Sequence, residues 1–150
     1  DEGDIVIEKV FSIGKEDTGL NVYQKSIKYG NQAIKEVLTR IFHEIELPRM
    51  PQKSGPKNIY SRANPFNMEI NWEKPSDQIL NSLRASNFYP LIPPAFQMCY
   101  MGGRVLKGKN LMIKTAEKPG TVLNVNEAKI QIVTGDHVVI EIHLDKKNSK

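Results

Sequence analysis

The chain has 150 residues, 39% of them hydrophobic and 25% charged, with a formal net charge of +4. That is enough for one ordinary domain or two small ones, and the composition is that of a globular protein rather than a disordered one. One cysteine, Cys99, excludes an internal disulfide framework or a cysteine metal cluster, and no apolar run is long enough to cross a bilayer.

The first stretch, D-E-G-D-I-V-I-E-K-V-F-S-I, reads as a strand already under way. Ile5, Ile7 and Val10 alternate with Val6, Glu8 and Lys9, which is the period of an extended segment. Asp17-Thr18 then signals a helix start. Its apolar positions, Leu20, Tyr23, Ile27, Ile34, Val37 or Leu38, Ile41 and Ile45, follow in steps of three and four along one face. Gly30 interrupts that run at about 1 kcal/mol relative to alanine, so two helices, or one bent at Gly30, are expected. Such a face is suited to covering a sheet. His43, beside Glu44, reads as a solvent-exposed helical histidine, because no second ligand or nucleophile is spaced to join it.

Over 47–67 the periodicity disappears and Pro48, Pro51, Gly55, Pro56 and Pro65 accumulate. A stretch of that length without element signals reads as an inter-domain linker. It carries Arg49, Lys53, Lys57 and Arg62 with no acidic residue over 48–67.

The densest stretch is 70–96, INWEKPSDQILNSLRASNFYPLIPPAF. Ile70, Asn71 and Trp72 are extended in pattern. Pro75 suits a first helical turn, with Lys74 or Ser76 as the cap. Ile79, Leu80 and Leu83 share one helical face, opposite Asp77, Gln78, Asn81 and Arg84. Pro90, Pro93 and Pro94 stop the helix before Ala95 and Phe96. Trp72 is expected to be packed and structural.

The remainder alternates. Residues 96–101 and 111–116 are apolar-rich, 121–125 follows a Pro119-Gly120 turn, and Ile130 and Ile132 alternate with Lys129 and Gln131. Ile140, Ile142 and Leu144 alternate with Val139, Glu141 and His143, and Gly135-Asp136 joins the last two segments as a hairpin. About five short strands and one helix suit a small closed barrel. Cys99, in an apolar neighbourhood, reads as a small buried hydrophobe. A second basic stretch, Arg104, Lys107, Lys109, Lys114 and Lys118 against Glu117 alone, fits either a polyanion footprint or a solvated basic surface.

The blocks I-N-W, K-P, I-L-N-S-L-R-A and P-P-A-F resemble the opening of the C-terminal domain of the folate-dependent formyltransferases, which include the methionyl-tRNA and amino-sugar enzymes. P-G-T-V and T-G-D resemble later parts of the same domain. The amino end resembles the D-x-G-D-I turn of the catalytic domain, E-D-T before a helix matches next, and Gln52 with Tyr60-x-Arg62 matches the family's linker. Two departures stand out: His137 occupies a place where glycine is common, and the K-x-M and F-x-N-G-like ending of the tRNA enzymes does not follow Leu144.

This resemblance implies an α+β chain. A strand–helix remnant of a nucleotide-fold catalytic domain (1–46) would be followed by a linker (47–67) and a small OB-like β-barrel (68–150). It implies Asp1 as the catalytic aspartate, 10-formyltetrahydrofolate as cofactor, held mainly by residues upstream, and a cytoplasmic enzyme of translation initiation. The acceptor would be methionyl-tRNA, with Arg104, Lys107, Lys109 and Lys114 meeting its phosphates. A nucleotide-linked amino sugar is the alternative acceptor, and a non-catalytic OB-like binding module the alternative class. The family's asparagine and histidine would lie upstream of Asp1, so this chain by itself should be catalytically incompetent.

Overall fold

A computed structural model describes residues 3–53, 55, 69–91, 98–101 and 103–145. Asp1, Tyr60, Arg62, Lys57, Pro56, Pro65 and the Pro93-Pro94-Ala95-Phe96 stop lie outside them. The chain divides into two compact units, 1–15 with 21–60, and 16–20 with 61–150.

The first unit holds most of one long helix, α1 (Gly19–Phe42). It runs unbroken through Gly30, which has nothing within 4 Å of where a Cβ would stand. The glycine costs helix propensity there without splitting the segment, so the two-helix expectation gives way to one continuous helix. The amino-terminal strand is also corrected. Among the described residues of this segment only Ile5 makes a β-bridge, exchanging both backbone hydrogen bonds with Met50 at 2.8 and 3.0 Å. The segment after it is fastened to α1 by side chains instead: Lys9 to Glu36 at 2.5 Å, the Phe11 ring stacked on Tyr29 at 5.3 Å, and Lys25 donating to the Ser12 carbonyl at 3.0 Å. Alternation marks an extended chain, but a strand needs a partner along its length, and Met50 supplies one residue of it. Lys9 and Arg40 hold the Glu36 carboxyl below its usual range, the Lys9 hydrogen bond first among the causes. Among the described residues, the apolar positions Tyr23, Ile27, Ile34, Leu38 and Ile41 of α1 are all exposed.

The second unit is built on helix α2 (Ser76–Ser86) and five antiparallel strands, β1 (Cys99–Tyr100), β2 (Gly103–Lys114), β3 (Val122–Asn126), β4 (Lys129–Val133) and β5 (Val138–Asp145), in the order β1-β2-β5-β4-β3. β5 is central because every second residue, Ile140, Ile142 and Leu144, enters the core. Those side chains meet Ile130 and Ile132 of β4, Val105 of β2, and Ile79, Leu80 and Leu83 of α2, with Ile70, Trp72 and Tyr100 packed at the margin. Trp72 is half-buried, edge-on to Tyr100 at 5.2 Å between ring centroids, in line with a packing role.

Irregularities in register fall between Val105 and Lys107, Asn110 and Ile113, and Val122 and Asn124. Such bulges bend a strand and increase its twist, curling the sheet into an antiparallel half-barrel beneath α2. Two strand expectations change. β2 begins at Gly103, well before the apolar run that suggested it, and Cys99 is exposed, because Met98 takes the inward position beside it.

Candidate phosphate-binding face

Pairing register turns separate lysines into one surface. Around β5, Lys107 of β2 and Lys129 of β4 both stand opposite His143, while Lys109 and Gln131 stand opposite Glu141. Since Ile140, Ile142 and Leu144 point into the core, His143 and Glu141 point out, and the residues paired with them share that outer face. Lys107, Lys109 and Lys129 are exposed there.

Glu141 is the acid of these two rows. The Nε2–H of His143 donates to its Oε1 at 2.8 Å, and the Lys129 ammonium is 3.9 Å away. The His143 hydrogen bond first, then Gln131 and Lys129, hold the Glu141 carboxyl below its usual range, outweighing the opposing effect of burial.

The other sequence-derived candidates are placed differently. Arg104 is committed to Asp145, Nη2 to Oδ2 at 2.7 Å, with both side chains partly shielded. Lys114 is exposed but lies opposite Val138, beyond the second β2 bulge. The structure therefore brings Lys107 and Lys109 together, adds Lys129 and His143, and leaves Arg104 and Lys114 outside the cluster. The outward alternation of Lys129 and His143 was visible in the sequence; their adjacency to Lys107 depends on register. Arg49 and Lys53 belong to the first unit. His43 is exposed just past α1, its ring edge-on to Phe42. Among the described residues no group of three His, Cys, Asp or Glu side chains could hold a metal ion, and no helix is long and apolar enough to cross a membrane.

The sheet is locked to α2 by the hairpin turn between β4 and β5. Pro75 is the N-cap of α2 and offers no side-chain acceptor, so neither Lys74 nor Ser76 caps the helix. Asp136, sixty residues away, does this instead: its Oδ1 accepts the Ser76 N–H at 3.0 Å and its Oδ2 accepts the Ser76 hydroxyl at 2.9 Å. The Thr134 hydroxyl also lies 2.5 Å from Oδ1, and the Gly135 N–H donates to the Lys74 carbonyl at 2.9 Å. Burial pushes the Asp136 carboxyl up, but the hydrogen bonds from Thr134 and Ser76 prevail and hold it below the ordinary range. A carboxylate at a helix N-terminus is favoured by both the orphan N–H groups and the dipole.

Gly135 allows this approach, since a Cβ there would lie 1.9 Å from the Glu73 carbonyl oxygen. His137, two residues on, has φ +58, the left-handed region where glycine is unstrained. Its Nδ1 lies 3.1 Å from the Glu117 carbonyl.

The profile of the formyl transferase C-terminal domain family matches residues 64–150, more than half of the chain. The chain belongs to this family. Methionyl-tRNA formyltransferase of Mesoplasma florum is 28% identical over 154 aligned positions, covering 100% of this chain and 47% of that protein. The Clostridioides difficile enzyme of the same name is 25% identical, with 100% and 48% covered. Among solved structures, an N-formyltransferase from Helicobacter canadensis, in complex with folinic acid and dTDP-3-aminofucose, has a TM-score of 0.71 at 21% identity over 96% of this chain and 51% of its own. A sugar 3N-formyl transferase, solved in the presence of dTDP and 5-N-formyl-THF, gives a TM-score of 0.72 at 22% identity, covering 97% and 51%. These structural likenesses establish the fold. The chain spans about half the length of the relatives it matches.

Proposed function

We propose that this chain is the C-terminal portion of an enzyme that transfers a formyl group from 10-formyltetrahydrofolate to the amine of methionyl-tRNA. The observation that carries the acceptor is the grouping of Lys107 and Lys109 on one open sheet face, where a polyanion's phosphates can be met without entering a pocket. Resemblance along the whole of this chain to about half of each methionyl-tRNA formyltransferase supports it. In this reading residues 1–46 end a catalytic domain, 47–67 form a linker and 68–150 an OB-like barrel. The exposed apolar face of α1 is the surface that packs against the rest of that catalytic domain, and the protein works in the cytoplasm.

Formyl transfer needs an electrophilic formyl group, a donor to the developing oxyanion and a base for the amine proton. The folate supplies the first. Family resemblance assigns Asp1 to orient a histidine and favour its charged form. The role of this chain's second unit is to hold the acceptor. Arg104 contributes through its Asp145 pair, and Lys114 extends the basic surface along β2.

A second acceptor, a nucleotide-linked amino sugar, is favoured by the ligands of the two structural neighbours. Assaying the full-length gene product with 10-formyltetrahydrofolate separates the two. Formylation of methionyl-tRNA, with no turnover of a dTDP-linked amino sugar, is the expected result; the reverse moves the assignment to the sugar. Activity on neither acceptor would leave a binding module and refute the enzymatic reading.

A further inference from the structure

We propose that Lys129 is a third phosphate contact on this face and that Glu141 is its internal counter-ion, occupying the place a phosphate takes when RNA binds. The proposal rests on the tRNA reading above and deepens it. Lys129 and Lys107 flank His143 on opposite strands, two interstrand spacings or about 10 Å apart. With Lys109 in the next row, three lysines share these two rows of the face with one carboxylate, which the Lys129 ammonium approaches to 3.9 Å, leaving a net +2 (three minus one) with His143 neutral.

Glu141 is not simply another surface acid. It is fixed by the 2.8 Å bond from His143 and lies 3.9 Å from the Lys129 ammonium, so the carboxylate and an incoming phosphate compete for the same donors. Phosphate binding then exchanges one anion for another at Lys129, which lowers the affinity gained from that lysine. Lys129 is free to make the exchange because its side chain is more than half exposed. Among the described residues, the other charged groups of these two rows are Lys107 and Lys109 on β2, and the Arg104–Asp145 ion pair occupies the row beyond His143; on the β3 side the paired residues, Asn124 and Asn126, are uncharged polar groups.

The test measures binding of labelled unfractionated tRNA by fluorescence anisotropy across a salt series, using the full-length gene product carrying K129Q, K107Q, K109Q, E141Q or K129Q/E141Q. Melting curves verify that each variant is folded. K129Q should weaken binding and lower the logarithmic salt slope by about 0.7–0.9, one phosphate contact. E141Q should tighten binding about two- to five-fold, the range of an exposed ion pair. That gain should shrink in the K129Q background, because the two residues act on each other. If K129Q matches the parent while K107Q or K109Q weakens binding, the role of Lys129 is overturned and the tRNA reading stands. If E141Q does not tighten binding, or its gain persists undiminished without Lys129, the counter-ion role is overturned. If none of the three lysine variants alters binding, or the protein binds no tRNA, both readings fall.

Discussion

Replacing Asp136 by alanine removes the cap of α2 without touching α2 itself. Two donors lose their acceptor, the Ser76 N–H and the Ser76 hydroxyl, while the Thr134 hydroxyl keeps the Val138 carbonyl at 2.7 Å. Loss of an N-cap side chain costs about 0.5–2 kcal/mol, and loss of a negative charge at a helix N-terminus about 0.3–1 kcal/mol. The two overlap, and Asp136 is an exposed residue whose charge is screened, so we expect about 1–2 kcal/mol for Asp136→Ala. Asp136→Asn keeps one acceptor oxygen and should lose about half as much. In urea the midpoint should fall with the slope unchanged, and the melting temperature by about 4–8 °C per kcal/mol for a unit of this size. Because the folded-state carboxyl is held below its usual range, its contribution is complete above the unfolded pKa and disappears as pH falls through the folded one. The stability gap between parent and Asp136→Asn should therefore be full at neutral pH and close in strong acid. A double-mutant cycle with Ser76→Ala should show coupling, since both changes break the same contact. Additive effects, or an unmoved urea midpoint for Asp136→Ala, would refute the capping role.

Gly135→Ala should be far more damaging than Asp136→Ala, because the new methyl would collide with a backbone oxygen at 1.9 Å; loss of a cooperative melting transition by circular dichroism is expected. Gly108→Ala should cost about 1–3 kcal/mol in chemical denaturation, since its Cβ would meet Leu80 Cδ2 at 2.6 Å and Leu83 Cδ1 at 3.0 Å. Trp72→Ala should lower stability by about 2–3 kcal/mol, somewhat below the range for a fully buried aromatic because this one is half-buried; an unchanged melting temperature would contradict its packing role. His137→Gly relieves a left-handed backbone but enlarges the entropy of the unfolded chain, so its unfolding free energy in chemical denaturation should rise modestly, by no more than about 1 kcal/mol.

What could be read from the sequence follows from how local each signal is. The face of α2 and the inward run of β4 and β5 were legible because Ile79, Leu80 and Leu83, and Ile130, Ile132, Ile140 and Ile142, carry their periodicity on their own. The first half of β2 was not, because V-L-K-G-K-N shows no apolar alternation: after the bulge, the inward position is Gly108 rather than a hydrophobe. At the amino end the opposite occurred, where alternation without a neighbouring strand gave an extended segment tied to α1. The cap of α2 was assigned to its own flanks, since local sequence cannot reveal a carboxylate arriving from sixty residues downstream. The T-G-D resemblance did mark the correct turn, and its displaced glycine is explained by the φ of +58 at His137.

The same glycine that hid β2 links the core to the lysine-bearing face. Leu80 and Leu83 rest on the strand where it presents no side chain, and a methyl at Gly108 would force the tips of both leucines to shift. With Gly108 turned inward, the alternation of a strand obliges Lys107 and Lys109 to turn outward together. The bulge between Val105 and Lys107 sets this phase: without the extra residue, the inward parity of Val105 would continue to Lys107 and Lys109 and place both ammonium groups beneath α2. Burying two unpaired lysines is far costlier than the irregularity in register that avoids it. Close packing of α2 and outward presentation of the lysines are thus one structural solution, and a change that shifts the bulge should impair stability and anion binding together.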